Sequence, residues 1–281
     1  MKNCTLTGLL AALATLITAC SSTAGLLQHP TTSSTLWAQH AAEYRALTIQ
    51  VYQTAAAQLG LAIEDSQWSA YPTQQDSILR DYPTAIVVDV DETVLNNSAF
   101  QARMIKKNSD FDPEAWNRWV MEARAEAVPG AQPFLKLASE KGIAIFYLTN
   151  RDAGVEAGTR ANLRKLGFPL SSKEDRILSN GEQPQWTSEK SARRRYVGSR
   201  YRILMLFGDD LNDFIPAKNR SLQERIRLVN QHQIRWGRSW YILPNPTYGS
   251  WEAALYDFNN ELTPREIKQI KRKRLNTSEG Q

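Results

Sequence analysis

Three runs, Thr84–Val90 (TAIVVDV), Ile143–Thr149 (IAIFYLT) and Arg202–Gly208 (RILMLFG), are apolar at nearly every position instead of at every second one. A strand with one wet face alternates, so continuous runs predict strands covered on both faces, as in a parallel sheet between helix layers. Ser239–Pro246 (SWYILPNP) predicts a further strand, stopped by its prolines. Helical patterns lie between: Pro133–Lys141 closed by Gly142, and Glu156–Leu166 closed by Gly167. Strand and helix in alternation predict an α/β, doubly wound, mainly parallel core with a mostly helical accessory and cap part. Upstream, Trp37, Tyr44, Leu47, Val51 and Leu59 predict one amphipathic helix over Leu36–Ala62, entered from Ser34 or Thr35, as accessory structure. The polar, aromatic and strandless segment Asn96–Ala127 predicts a cap inserted beside the C-terminal edge of the strands.

In such folds chemistry gathers beyond the carboxyl ends of the strands. The first run ends in Asp89, Asp91 and Thr93, the second in Thr149, Asn150 and Arg151, and the third in Gly208, Asp209, Asp210 and Asp213. Carboxylates brought together repel unless one takes a proton or a cation sits between them. An oxygen-only set selects a hard cation, and Mg²⁺ commonly binds through one or two carboxylates plus substrate phosphate. Facing such a phosphate, Asp89 is a competent covalent nucleophile, and Asp91 can protonate the leaving alcohol.

Composition narrows the class. A chain of 281 residues suits one substantial domain with an accessory part, or two small domains. With 22% charged and 42% hydrophobic residues the chain is not disordered, and a net charge of +5 is mild. His29, His40 and His232 show no paired metal-ligand spacing. At the N-terminus, Lys2 precedes an apolar run, Leu9–Ile17, too short to span a bilayer but suited to a secretory signal. Its end, LITAC, resembles the bacterial lipobox, which implies cleavage before Cys20 and anchoring by lipid on that thiol. Ser21 and Ser22 carry no retention aspartate, implying the outer membrane, and Ser21–Ser34 reads as a flexible tether. Cys4 falls in the removed part, so the mature chain has no internal disulfide and no thiol nucleophile.

The pattern D-x-D-x-T at Asp89, Asp91 and Thr93, a strand-ending Thr149, a lysine, and G-D-x-x-x-D at Gly208, Asp209 and Asp213 resembles the four motifs of the haloacid dehalogenase superfamily. The strings IVVDVDETVLNN and ILMLFGDDLNDF resemble the class C bacterial acid phosphatases, the outer-membrane lipoprotein group that includes 5′-nucleotidases. AVPGA, YLTNR, LGFP and LPNPTYGSWE extend the likeness from about Asp81 to Glu252, with small departures at Val90 and Phe100. The resemblance implies Asp89 as nucleophile and Mg²⁺ ligand, Asp91 as general acid then base with its carbonyl on the metal, and Asp209 as a further ligand. Asp213 would support the metal's waters, and Thr149 would bind a phosphoryl oxygen. Lys190, in preference to Lys173, would neutralise phosphoryl charge.

By the same resemblance Asn150, Arg151, Phe111, Trp116 and Tyr248 touch substrate, with Phe111 and Tyr248 sandwiching a planar base. Trp119 and Trp251 are expected to fill the cap's own core. Arg193–Arg195 and Lys271–Arg274 read as solvated helix faces, with weak contact to anionic lipid headgroups as the sharper alternative. The expected layout is a signal peptide over 1–19, a lipidated tether over 20–34 and a helical accessory segment over 35–80. A phosphatase core follows over 81–262 with its cap at about 96–127, then a basic helix or tail over 263–281. The implied activity is a Mg²⁺-dependent acid phosphatase acting on 5′-nucleotides or nicotinamide mononucleotide and on aryl phosphates. The alternative is a non-catalytic, lipid-anchored binding or adhesion protein of the same fold. Partners are a phosphomonoester and the membrane, with no nucleic-acid polymer; a homodimer stays open.

Overall fold

The structure, a computed structural model, describes residues 29–74, 79 and 81–278. Cys20, the signal segment and most of the expected tether lie outside them. The chain begins with two helices, α1 (Thr32–His40) and α2 (Ala42–Glu64), instead of the single expected one. They break at Ala41, whose extended backbone (ψ 128°) cannot continue a helix, and α1 takes in Thr32 to Ser34 from the expected tether.

The sheet carries β1 (Thr84–Val88) at its centre in the order β5-β4-β1-β6-β7, with β4 (Ala144–Asp152), β5 (Ile177–Asn180), β6 (Arg202–Gly208) and β7 (Trp240–Ile242). Every adjacent pair is parallel: Ala85 stands beside Ala144 on one side and Ile203 on the other. The apolar run of β1 divides between two cores, as double burial requires. Ile86 and Val88 join one cluster, and Ala85 and Val87 the opposite one.

The first core is covered by α2, α5 (Ala131–Glu140) and α6 (Glu156–Lys165). Tyr52, Ala55 and Leu59 of α2 are buried in it, so the segment expected as an accessory belongs to the main layer. The second core is covered by α7 (Ser191–Gly198), with the residues after β6 and α8 (Leu222–Gln231) beyond them. β5 and α8 are additions to the sequence reading. A short α9 (Ser250–Ala253) and α10 (Pro264–Arg274) complete the described chain, the latter opened by a Thr263/Glu266 capping box.

The inserted cap is not strandless. A two-stranded antiparallel pair, β2 (Leu95–Asn96) with β3 (Glu126–Ala127), closes its base. Above that base stand α3 (Ser98–Lys107) and α4 (Pro113–Glu122), the second started by Asp112 accepting from the N–H groups of Glu114 and Ala115. The cap rests on α6 at Gly158, where an added Cβ would come within 2.5 Å of the Val120 carbonyl oxygen. Trp119 fills the cap core as expected, but Trp251 is 39% exposed and does not.

Candidate active site

Asp89 follows the last residue of β1, and its backbone N–H is held by the Phe207 carbonyl at 3.0 Å, so the central strand fixes it. Lys190, at the start of α7, donates to Asp89 Oδ1 and to Asp213 Oδ1 at 2.6 Å, and only 4% of it is exposed. Lys173, the rejected candidate, stands on an exposed loop. One carboxylate oxygen each from Asp89, Asp209 and Asp213 lies within 4.8 Å of the others. Asp213 can come so close because Gly208 has no side chain: a Cβ there would sit 2.2 Å from Asp213 Oδ2.

Burial, against the pull of Lys190 and with the push of Asp213 and Asp91, raises the Asp89 pKa to about 7. Burial, with Asp89 and Asp213 beside it, drives Asp209 well above the ordinary carboxylate value, although Asn245 Nδ2 donates to it at 2.8 Å. Burial disfavours the Lys190 charge, yet Asp213 and Asp89 together hold its pKa above that of a free lysine. Lys190 is therefore the firmly charged member, and the surplus of negative charge is on the carboxylates. Three crowded carboxylates offering only oxygen fit a hard divalent cation.

Asp91 lies across the site and is oriented by cap and core together. Arg151 donates to its Oδ1 through Nε at 3.0 Å and Nη2 at 2.8 Å, and Asn97 Nδ2 donates at 2.8 Å. The fully buried Asn97 also accepts from Trp119 Nε1 at 2.9 Å and Arg151 Nη2 at 3.2 Å, which joins the cap core to Asp91. Arg151, expected to touch substrate, is 1% exposed and directs its donors to Asp91, Asn97 and Thr159. Thr149 is fully buried; its Oγ1 accepts from the Arg151 N–H at 3.0 Å and lies 3.5 Å from Asp91.

Residues that sequence reasoning passed over complete the site. Glu92 turns the chain in the left-handed region (φ 58°) and points inward, accepting from Tyr248 Oη at 2.9 Å. Burial, with the Asp91 charge next, raises its pKa to about 7. Arg193 and Arg194, expected as a solvated face, are 0% and 1% exposed and bond to the loops around the site. Arg195 is exposed as expected. Asn245 precedes a proline in LPNP, and that spacing alone gave no sign of its reach to Asp209.

The carboxylates open into a cavity of about 1040 Å³. Phe111, Trp116 and Tyr248 line it, as do Asn150 and, from the far side, Ile267 and Lys268 of α10. Trp116 packs edge-on against Phe100 at 5.1 Å and lies under the Arg151 guanidinium at 5.5 Å. Phe111 is 59% exposed. Lys271, read with its neighbours as a solvated face, pairs with Glu252, whereas Arg272 to Arg274 are exposed.

Residues 10–251 match the family model described as HAD superfamily, subfamily IIIB (Acid phosphatase). The fold is similar to the class C acid phosphatase from Bacillus anthracis, with a TM-score of 0.76 and 34% identity over 88% of this chain and 97% of that one. A structure of the class C acid phosphatase from the same organism with tungstate bound gives 0.76 and 33% identity, covering 92% and 98% of the two chains. Among curated proteins, a stem 28 kDa glycoprotein of Glycine max is 28% identical over 134 residues, 46% of this chain and 52% of that protein. The chain thus spans about half the length of the curated relatives it matches.

Proposed function

The chain belongs to the acid phosphatases of the HAD superfamily, subfamily IIIB, and from that premise we propose that it is a Mg²⁺-dependent phosphomonoesterase working through an aspartyl-phosphate, an acyl phosphate formed on Asp89. The observation that carries this reading is the contact of Asp89 with Lys190, beside Asp209 and Asp213. Bound to Asp89, Asp209 and the Asp91 carbonyl, with Asp213 supporting its waters, a divalent cation would supply charge neutralisation for the phosphoryl group.

The chain's own residues then divide the work. The Asp89 carboxylate attacks phosphorus as the bond to the leaving alcohol breaks, and Asp91 gives that oxygen a proton. Arg151 and Asn97 hold Asp91 in the orientation this transfer needs. Asp91 next takes a proton from water, whose oxygen attacks phosphorus and releases inorganic phosphate, freeing Asp89. A lysine has three N–H donors, and Lys190 uses two on Asp89 and Asp213, leaving one for a phosphoryl oxygen. Thr149 would take another such oxygen. The tungstate complex of the Bacillus anthracis enzyme supports an oxyanion site in this family.

For substrate we favour 5′-nucleotides, nicotinamide mononucleotide and aryl phosphates, because Phe111, Trp116 and Tyr248 line one cavity and aromatic faces accept any planar ring. Lipid anchoring at Cys20 in the outer membrane is part of the same reading and rests on the LITAC sequence. Among the described residues no helix is long and apolar enough to cross a membrane.

The test is hydrolysis of p-nitrophenyl phosphate and nucleoside monophosphates with Mg²⁺ and with EDTA, beside Asp89→Asn. Activity abolished by EDTA and by the substitution is expected. Activity surviving Asp89→Asn would sink the covalent route, and wild-type protein inert throughout would leave a non-catalytic, lipid-anchored binding or adhesion protein.

A further inference from the structure

We propose that α7 is a strut whose two neighbouring arginines tune different ligands: Arg193 positions the phosphate-binding end of β4, and Arg194 positions the cation-binding loop after β6. This rests on the phosphatase reading. Lys190, Arg193 and Arg194 stand at i, i+3 and i+4, which places them on one face of the helix start. That face meets the ends of β4, β1 and β6, three neighbouring strands of the sheet.

The reach of each side chain is specific. Arg193 donates through Nη1 to the Thr149 carbonyl and, at 3.2 Å, to the Leu178 carbonyl. Through Nη2 it donates to Asn150 Oδ1 at 2.7 Å and to the Thr187 carbonyl at 2.6 Å. Two of these acceptors belong to consecutive residues at the tip of β4. Arg194 turns the other way, donating to the Asn212 carbonyl at 2.7 Å, with Ser191 Oγ at 3.0 Å steadying it. Asn212 immediately precedes Asp213, one of the three clustered carboxylates.

Arginines this buried are rare unless paired, and an apolar residue would fill the same space at lower desolvation cost. Arg193 lies within bonding reach of carbonyl and amide oxygens rather than of a carboxylate, so its charge is applied to backbone placement. A helix that merely needed filling would require no donors aimed at both flanking strand ends.

The test uses the full chain with Arg193→Met and Arg194→Met, which keep length and remove the donors. Two affinities are read: inorganic phosphate as a competitive inhibitor at saturating Mg²⁺, and Mg²⁺ by calorimetry on EDTA-stripped protein. Arg193→Met is expected to weaken phosphate about tenfold with Mg²⁺ affinity retained. Arg194→Met is expected to weaken Mg²⁺ by about 10- to 100-fold with phosphate affinity retained. Arg193→Lys, which keeps the charge but not the forked donors, and Ser191→Ala, which loosens Arg194 from a more accessible position, should shift the same two affinities in smaller measure even if the Met variants do not fold. Equal shifts in both affinities, or none in the folded variants, overturn the assignment. Wild-type protein that binds neither phosphate nor Mg²⁺ would instead remove the phosphatase reading beneath it.

Discussion

Glu92 is a carboxylate placed where the chain reverses, buried beside Asp91 and closed in by the Tyr248 hydroxyl and the Asn97 N–H. Its folded pKa of about 7 lies above the reference 4.5, and that of Asp89, also about 7, lies above 3.8. For an acid raised in this way the folded state binds more protons than the unfolded one, so the associated stability is present at low pH and lost as pH rises. Metal-free protein is therefore expected to melt at progressively lower temperature between about pH 4.5 and about pH 7.5. Glu92→Gln keeps an acceptor for Tyr248 and should flatten that slope; a variant melting curve as steep as wild type would exclude Glu92 as a source. Sequence spacing revealed Asp89 and Asp91 because their strand-end placement carries a pattern. The inward turn of Glu92 left no trace there, since a positive φ at a non-glycine residue has no side-chain signature.

Elements show the same division. Runs such as Arg202–Gly208 were readable to the residue because burial on both faces demands apolar side chains throughout. β5 was not, because only Ile177 and Leu178 of its four residues are large and apolar and it lies at the sheet edge. α8 carried a legible start in its Ser221/Glu224 capping box, but Ile226, 62% exposed, blurred its apolar stripe. Arg193 and Arg194 looked like solvent charges because backbone acceptors across a loop are invisible in a one-dimensional string. The cap's seat on α6 yields a prediction in which two effects oppose. Gly158→Ala gains about 1 kcal/mol of helix propensity. It also forces a Cβ against the Val120 carbonyl oxygen and Met121 Cα, at 2.5 and 2.8 Å, where backbone must move. Overpacking of this kind costs about 1–3 kcal/mol, so a net loss of stability in denaturant unfolding is expected. A more stable variant would show that the seat is looser than its spacing implies.

At the scale of the molecule, the chain from α2 to β7 forms one body in which Tyr52, far upstream, donates to the Thr93 carbonyl at 2.7 Å beside the site. The long helix α2 was legible as part of one amphipathic stretch, but its membership in the main layer was not, because amphipathicity does not say what covers the apolar face. The order β5-β4-β1-β6-β7 has a kinetic consequence. β1 is emitted early, yet one of its two neighbours, β6, arrives only after most of the chain has been made. Pairing at such sequence separation is slow and waits for the whole segment. Fragments ending before Arg202 should lack both the native near-ultraviolet circular dichroism of the core and any hydrolysis, and an active fragment of that length would refute the dependence. The chain thus has a built-in delay: the strand that leads into Asp89 stays without its second partner until most of the polypeptide has been made.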